Sequence, residues 1–152
     1  MIYLVRHAKA GSRSEWVGDD QLRPLSNKGV RQSALLADRL APLATGLLVS
    51  SPYRRCMQTL EPLSIRIGTP LTPDQRLAED SGFEGALELL ATVPDGTVLC
   101  SHGDVIPDTM GALERRGRAF VGAPVWSKAG VWVLTRVDGA VVEATAWQPP
   151  DA

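Results

Sequence analysis

Cysteine is almost missing from the 152 residues, which contain only Cys56 and Cys100. Two thiols cannot build a disulfide framework, and nothing around them has metal-ligand spacing, so both are expected as reduced core residues and no metal site is expected. An excess of charge of one sign is also missing. Sixteen basic residues face 17 acidic ones for a net charge of −1, so no global field draws the chain to nucleic acid or to an anionic membrane. Any anion binding must be local. No apolar run approaches the roughly 20 residues of a membrane span, and no basic-then-apolar leader opens the sequence, so a cytoplasmic location is the expectation. Histidine is equally scarce, with two copies, and their positions direct the rest of the reading.

What is present is enough apolar material, 44% of residues, for one ordinary domain over 1–152. Ile2 to Val5, Gly46 to Ser50 and Thr97 to Ser101 are short continuous apolar runs of the kind that form strands covered on both faces. An edge piece is signalled near Thr69 to Thr72, between Pro70 and Pro73. Helices are expected between these runs. Ser26 can cap one whose apolar face carries Val30, Ala34, Ala37 and Ala41; a second starts at Pro52 and runs toward Glu61-Pro62. A third carries Phe83, Ala86, Leu87 and Leu90, and a fourth spans Asp104 to about Arg116. Gly130 to Val137 and Ala140 to Trp147 flank Asp138-Gly139, a favoured two-residue hairpin turn. The fold class is therefore α/β: a three-layer sandwich with a mostly parallel sheet, helices on both faces and an antiparallel C-terminal hairpin at the edge.

In an open parallel sheet, polar residues just past the carboxyl ends of the strands meet in one crevice. The first strand delivers Arg6-His7 there, the second Ser50-Ser51-Pro52 with Arg54 and Arg55, and the strand at 97–101 delivers His102-Gly103. Arginines, imidazoles and a helix N-terminus make a site for a compact dianion, of which phosphate is the obvious example. Positive groups on the phosphoryl oxygens bind them and lower the barrier to in-line attack. A histidine with an ordinary pKa of about 6.5, lowered by neighbouring cations, is neutral and nucleophilic at pH 7. Attack on phosphorus would give a phosphohistidine that water cleaves, with a carboxylic acid protonating the leaving oxygen. Lys9 and Arg13 follow His7 in its loop and are either ligands of a second phosphate or solvated loop charges. Trp126 and Trp132 are expected as core, with stacking on a base as the other possibility.

Arg6-His7-Ala8, the segment Ser51-Pro52-Tyr53-Arg54-Arg55-Cys56-Met57-Gln58-Thr59 and Ser101-His102-Gly103 resemble the motifs of the histidine phosphatase superfamily, also called phosphoglycerate mutase-like. The stretch from Pro24 to Ser33 is similar to the family's first helix start. The resemblance implies that His7 is the nucleophile and that Arg6, Arg55 and His102 hold the phosphoryl oxygens, with no cofactor. It implies an acidic proton donor in a later loop, for which Glu79 is the candidate and Asp80 and Asp104 are rivals. Lys9-Ala10-Gly11-Ser12-Arg13 replaces the threonine and asparagine usual in the mutase branch, which argues against a phosphomutase. Residues 61–97 leave no room for the helical cap of larger members, so the site is expected to be open. An open site suits the small SixA-type phosphohistidine phosphatases. Trp16 to Leu25 also resembles the phosphatase domain fused to Nudix hydrolases in actinobacteria. The expected substrate is thus a phosphorylated small molecule, a nucleotide or a phosphohistidine protein, and the opposing possibility is an idle phosphate- or phosphoprotein-binding module.

Overall fold

The computed structural model describes residues 1–152. Seven strands form one sheet: β1 (Ile2–Arg6), β2 (Leu48–Ser50), β3 (Leu71–Pro73), β4 (Val98–Ser101), β5 (Ala119–Phe120), β6 (Val131–Val137) and β7 (Ala140–Trp147). Their spatial order is β3-β2-β4-β1-β6-β7-β5, parallel from β3 through β1 and antiparallel where β6 joins β1 and β7. The fold is the expected α/β sandwich. One element has no signal in the sequence: two-residue β5 pairs parallel to β7 beyond the hairpin and forms the outermost strand. The hairpin itself turns at Asp138 (φ 51°) and Gly139 (φ 79°), two successive positive φ values, as a primed two-residue turn requires.

Alternation along β1 divides the core in two. Ile2 and Leu4 face a cluster built with Leu89, Leu90, Ile106 and Met110 from α3 (Glu84–Thr92) and α4 (Val105–Arg115). Tyr3 and Val5 face the other side, against Leu36, Leu40, Leu60 and Leu63 of α1 (Asn27–Leu40) and α2 (Arg54–Ile67). Period-two side chains buried on both faces are the reason the central strands read as unbroken apolar runs. Each such aliphatic side chain contributes roughly 1.5–3 kcal/mol by leaving water. No helix is long and apolar enough to cross a membrane.

Two helices differ from their sequence patterns in ways that shape the site. On α1 the buried stripe is Gly29, Gln32, Ser33, Leu36, Ala37 and Leu40, whereas Val30 and Ala34 are exposed. Polar side chains win the inner face because they have partners there: Gln32 Oε1 accepts the Lys9 N–H at 3.0 Å, and Ser33 donates to the Val30 carbonyl at 2.7 Å. On α2 the helix begins at Arg54, not Pro52, and continues through Pro62 until Gly68, at φ 71°, ends it. Leu60 and Leu63, both fully buried, hold the segment against the sheet across the missing proline N–H.

Candidate active site

The carboxyl ends of β1, β2 and β4 bring the predicted residues together. The His7 N–H donates to the Ser101 carbonyl at 3.1 Å, which extends the β1–β4 ladder one residue past the strand and leaves the side chain at the sheet's rim. Thr59 ties the same loop to α2, accepting from the Ala8 N–H at 2.9 Å and donating to the Arg55 carbonyl at 2.7 Å. Above His7 opens a cleft of about 580 Å³ whose walls include Arg6, Arg13, Glu79, Gly103 and Asp104.

His7 is only 5% exposed. Its Nδ1 lies 2.8 Å from the Ala8 carbonyl oxygen. A carbonyl can only accept, so Nδ1 carries the proton and Nε2 keeps the lone pair. Burial lowers the His7 pKa most, the Ala8 carbonyl opposes it, and the charges of His102, Arg55 and Arg6 add to the fall, which brings it to about 3. The ring is therefore neutral near pH 7. The His102 ring sits 5.6 Å away, centroid to centroid, and its Nε2 is 2.8 Å from Ser51 Oγ. The Ser51 hydroxyl orients His102 and accepts the Tyr53 N–H at 3.3 Å. The Tyr53 ring covers His102 at 4.7 Å.

The arginines are held without being fully neutralised. Arg6 donates through Nη1 to the Trp126 carbonyl at 2.7 Å and lies so close over Gly103 that a Cβ there would meet Nη2 at 2.6 Å. Arg55 is completely buried, while Arg54, one residue earlier, is exposed. Arg55 donates to the Asp20 carbonyl at 3.0 Å, and its Nη2 lies 3.2 Å from Asp20 Oδ2 and 3.5 Å from Glu79 Oε1. The buried Nε atoms of Arg6 and Arg55 have no partner, which leaves hydrogen-bonding capacity at the site.

Of the three acidic candidates, Glu79 and Asp104 line the cleft and Asp80 does not. Glu79 Oε1 accepts from Arg13 Nη2 at 2.9 Å. Asp104 Oδ2 accepts the Asp80 N–H at 2.8 Å, while its Oδ1 is buried without a partner. Lys9 and Arg13 reach the same cleft. Trp132 is buried as expected, whereas Trp126 is 44% exposed beside it, ring centroids 5.4 Å apart.

Sequence reasoning missed Asp20, Arg23 and Lys128. Asp20 is the hub of the loop: Oδ1 accepts from Arg23 Nε at 2.9 Å and lies 3.7 Å from Arg13 Nε. Burial works against this carboxylate, but the Arg23 hydrogen bond and the charges of Arg55, Arg23 and Arg13 outweigh it and hold its pKa below the usual range. Arg23 also donates to the Gly11 carbonyl at 2.6 Å, closing the loop over itself.

Comparison with known proteins agrees with this fold. Solved structures share the fold: the protein histidine phosphatase SixA complexed with tungstate superposes with a TM-score of 0.72 at 20% identity, over 95% of this chain and 92% of that one. The mycobacterial glucosyl-3-phosphoglycerate phosphatase complexed with VO3 gives 0.69 at 19% identity, over 98% and 99%. In sequence, the 8-oxo-(d)GTP phosphatase of Mycolicibacterium smegmatis is 32% identical over 156 aligned positions, which cover 99% of this chain and 48% of that protein. The chain thus spans about half the length of that relative. A family model for the histidine phosphatase superfamily (branch 1) matches residues 2–86, the span from β1 through the start of α3, and the chain belongs to that superfamily.

Proposed function

We propose that the protein is a metal-independent phosphatase that acts through a phosphohistidine on His7. The observation that carries this reading is the Nδ1–H bond to the Ala8 carbonyl, which leaves an uncharged Nε2 lone pair among Arg6, Arg55 and His102. In the first step the Nε2 lone pair forms a bond to phosphorus, the phosphorus–oxygen bond to the leaving group breaks, and that oxygen takes a proton from a carboxylic acid. Arg6, Arg55 and His102 stabilise the charge on the phosphoryl oxygens. Water then attacks phosphorus, the P–N bond breaks, and the water proton returns to the carboxylate. Glu79 is the proposed donor because it stands in the cleft wall beside Arg55. Asp104 is the second candidate, favoured by the unpartnered Oδ1. The family relatives point to a nucleotide or a phosphohistidine protein as substrate, with a small phosphomonoester as the third class.

The test is a phosphate-release panel across these three classes combined with a quench for covalent phosphate. Wild type is expected to accumulate an acid-labile, base-stable phosphoryl group on His7 and to release phosphate to water. His7→Ala is expected to lose both, with turnover down by at least about a thousandfold. Turnover without a labelled histidine would overturn the mechanism, and binding without turnover would establish the idle module. In the same panel Glu79→Gln should slow alkyl phosphates far more than p-nitrophenyl phosphate, whose leaving group needs no proton. Should only Asp104→Asn show that pattern, the donor is Asp104.

A further inference from the structure

Lysine is used three times in this chain, at positions 9, 28 and 128, although Lys and Arg together number 16. All three lysines line one cleft of about 520 Å³, and Lys9 and Lys128 also line the cleft above His7. They come from three separate segments: the loop after β1, the first turn of α1 and the loop before β6. The backbone fixes those segments to one another. The Lys9 carbonyl accepts the Ser26 N–H at 2.9 Å and the Ser26 hydroxyl at 3.1 Å. Gly29 packs directly under that carbonyl, where any Cβ would collide with it. On the other side the Ala129 N–H is shared between the carbonyls of Arg6 and His7, at 3.1 Å each, which pins the residue after Lys128 to the end of β1.

The charges so gathered form no ion pair, although one acidic side chain, Asp151, lines the same cleft. None of the ion pairs in the structure uses Lys9, Lys28 or Lys128. Lys28 also stands in the first turn of α1, where no acidic residue is present and where the helix dipole disfavours a cation. Burial, followed by the charges of Arg6, Arg23, Lys9 and Arg13, lowers the Lys128 pKa, so its ammonium group carries its charge at a cost that an anion beside it would relieve. A lysine is a compact point charge on a flexible stem, without the planar fork that fixes an oxygen geometry. Such groups suit a phosphate that has to be held but does not react.

We propose that Lys9, Lys28 and Lys128 form a second anion subsite that takes the neighbouring phosphate of a substrate with a terminal diphosphate, such as a nucleoside diphosphate, while its end phosphate enters the His7 cleft. This deepens, and rests on, the phosphatase reading above. On such a substrate His7 Nε2 bonds to the terminal phosphorus, the bridging P–O bond breaks, and its electron pair stays on the departing monophosphate. The lysines stabilise that charge, so this leaving group departs without a proton. Water then attacks phosphorus, the P–N bond breaks with its electron pair returning to His7 Nε2, and the water protons leave on the released orthophosphate.

The experiment compares inorganic pyrophosphate with inorganic phosphate as competitive inhibitors of p-nitrophenyl phosphate hydrolysis, which removes any dependence on the base. Wild type should bind pyrophosphate roughly tenfold more tightly than phosphate, Lys28→Gln and Lys128→Gln should each erase most of that preference, and Lys28→Arg should restore it. Equal inhibition by the two anions in wild type would overturn the subsite, as would a preference that survives both glutamine variants. Calorimetric titration of wild type with the same anions separates the two readings. Pyrophosphate preference without turnover sinks the phosphatase reading alone, and turnover without preference sinks the subsite alone. If Lys28→Gln instead slows only the dephosphorylation of a phosphohistidine protein, the lysines dock an acidic protein surface and the diphosphate proposal is wrong.

Discussion

Two groups of cations stand at the His7 cleft and the cleft that adjoins it, and they are built differently. On one side Arg6, Arg23 and Arg55 are anchored to backbone carbonyls, those of Trp126, Gly11 and Asp20, at 2.7, 2.6 and 3.0 Å. On the other side the three lysines have no anchor for their ammonium groups, and only their backbones are fixed. A carbonyl fixes a guanidinium without cancelling its charge, and although Arg23 and Arg55 also pair with Asp20, the fixed array is what a transition state of fixed geometry requires. Loose ammonium groups supply potential but no alignment. The difference teaches that charge and orientation are separate resources: in the proposed reading one serves the phosphoryl group that is transferred and the other the phosphate that departs.

Three changes would break or sharpen that contrast. The largest effect is expected from Arg55→Lys, which keeps the charge but loses the fork: kcat on p-nitrophenyl phosphate should fall on the order of a hundredfold. A loss below about threefold would erase the distinction between the two groups of cations. Next comes acid. His7 titrates at about 3 in the folded protein against an ordinary 6.5, so the unfolded chain takes up a proton that the folded one refuses. The stabilisation is complete above pH 6.5 and is lost as pH falls toward 3, with a slope of up to about 1.4 kcal/mol per pH unit. Urea denaturation of wild type and His7→Gln across this window should show the wild type losing ground. Parallel curves would mean that the histidine is not buried as a neutral base. The smallest effect is Asp20→Asn. Removing the carboxylate that shares Arg55 with the incoming dianion should tighten inhibition by phosphate about threefold, while Tm drops a few degrees as the loop loosens. Unchanged inhibition would show that Asp20 does not compete with the substrate.

How much of this was legible in the sequence follows from where each residue sits. Arg6, His7 and His102 lie at the tips of strands that read plainly as buried runs, so topology alone sends them to one rim. Arg55 was separable from Arg54 only by the family motif, because both occupy the first turn of a helix and one is buried by packing. Asp20, Arg23 and Lys128 belong to loops whose course depends on tertiary hydrogen bonds, such as Arg23 to the Gly11 carbonyl, and no periodicity encodes those. The inner face of α1 was misread for a related reason. An apolar pattern points to Val30, but the Lys9 backbone selects Gly29 and Gln32, and a backbone partner does not show in hydropathy.

The contact between His7 and its neighbour's carbonyl has one more consequence. A carboxylate in that position would make the imidazole more electron-rich and strengthen its hold on phosphorus, whereas an uncharged amide oxygen offsets only part of the burial and neighbouring charge that make it a poor base. A poor base departs easily. In the proposed cycle the same feature that moderates His7 as an attacker keeps the enzyme from stalling once it has been phosphorylated.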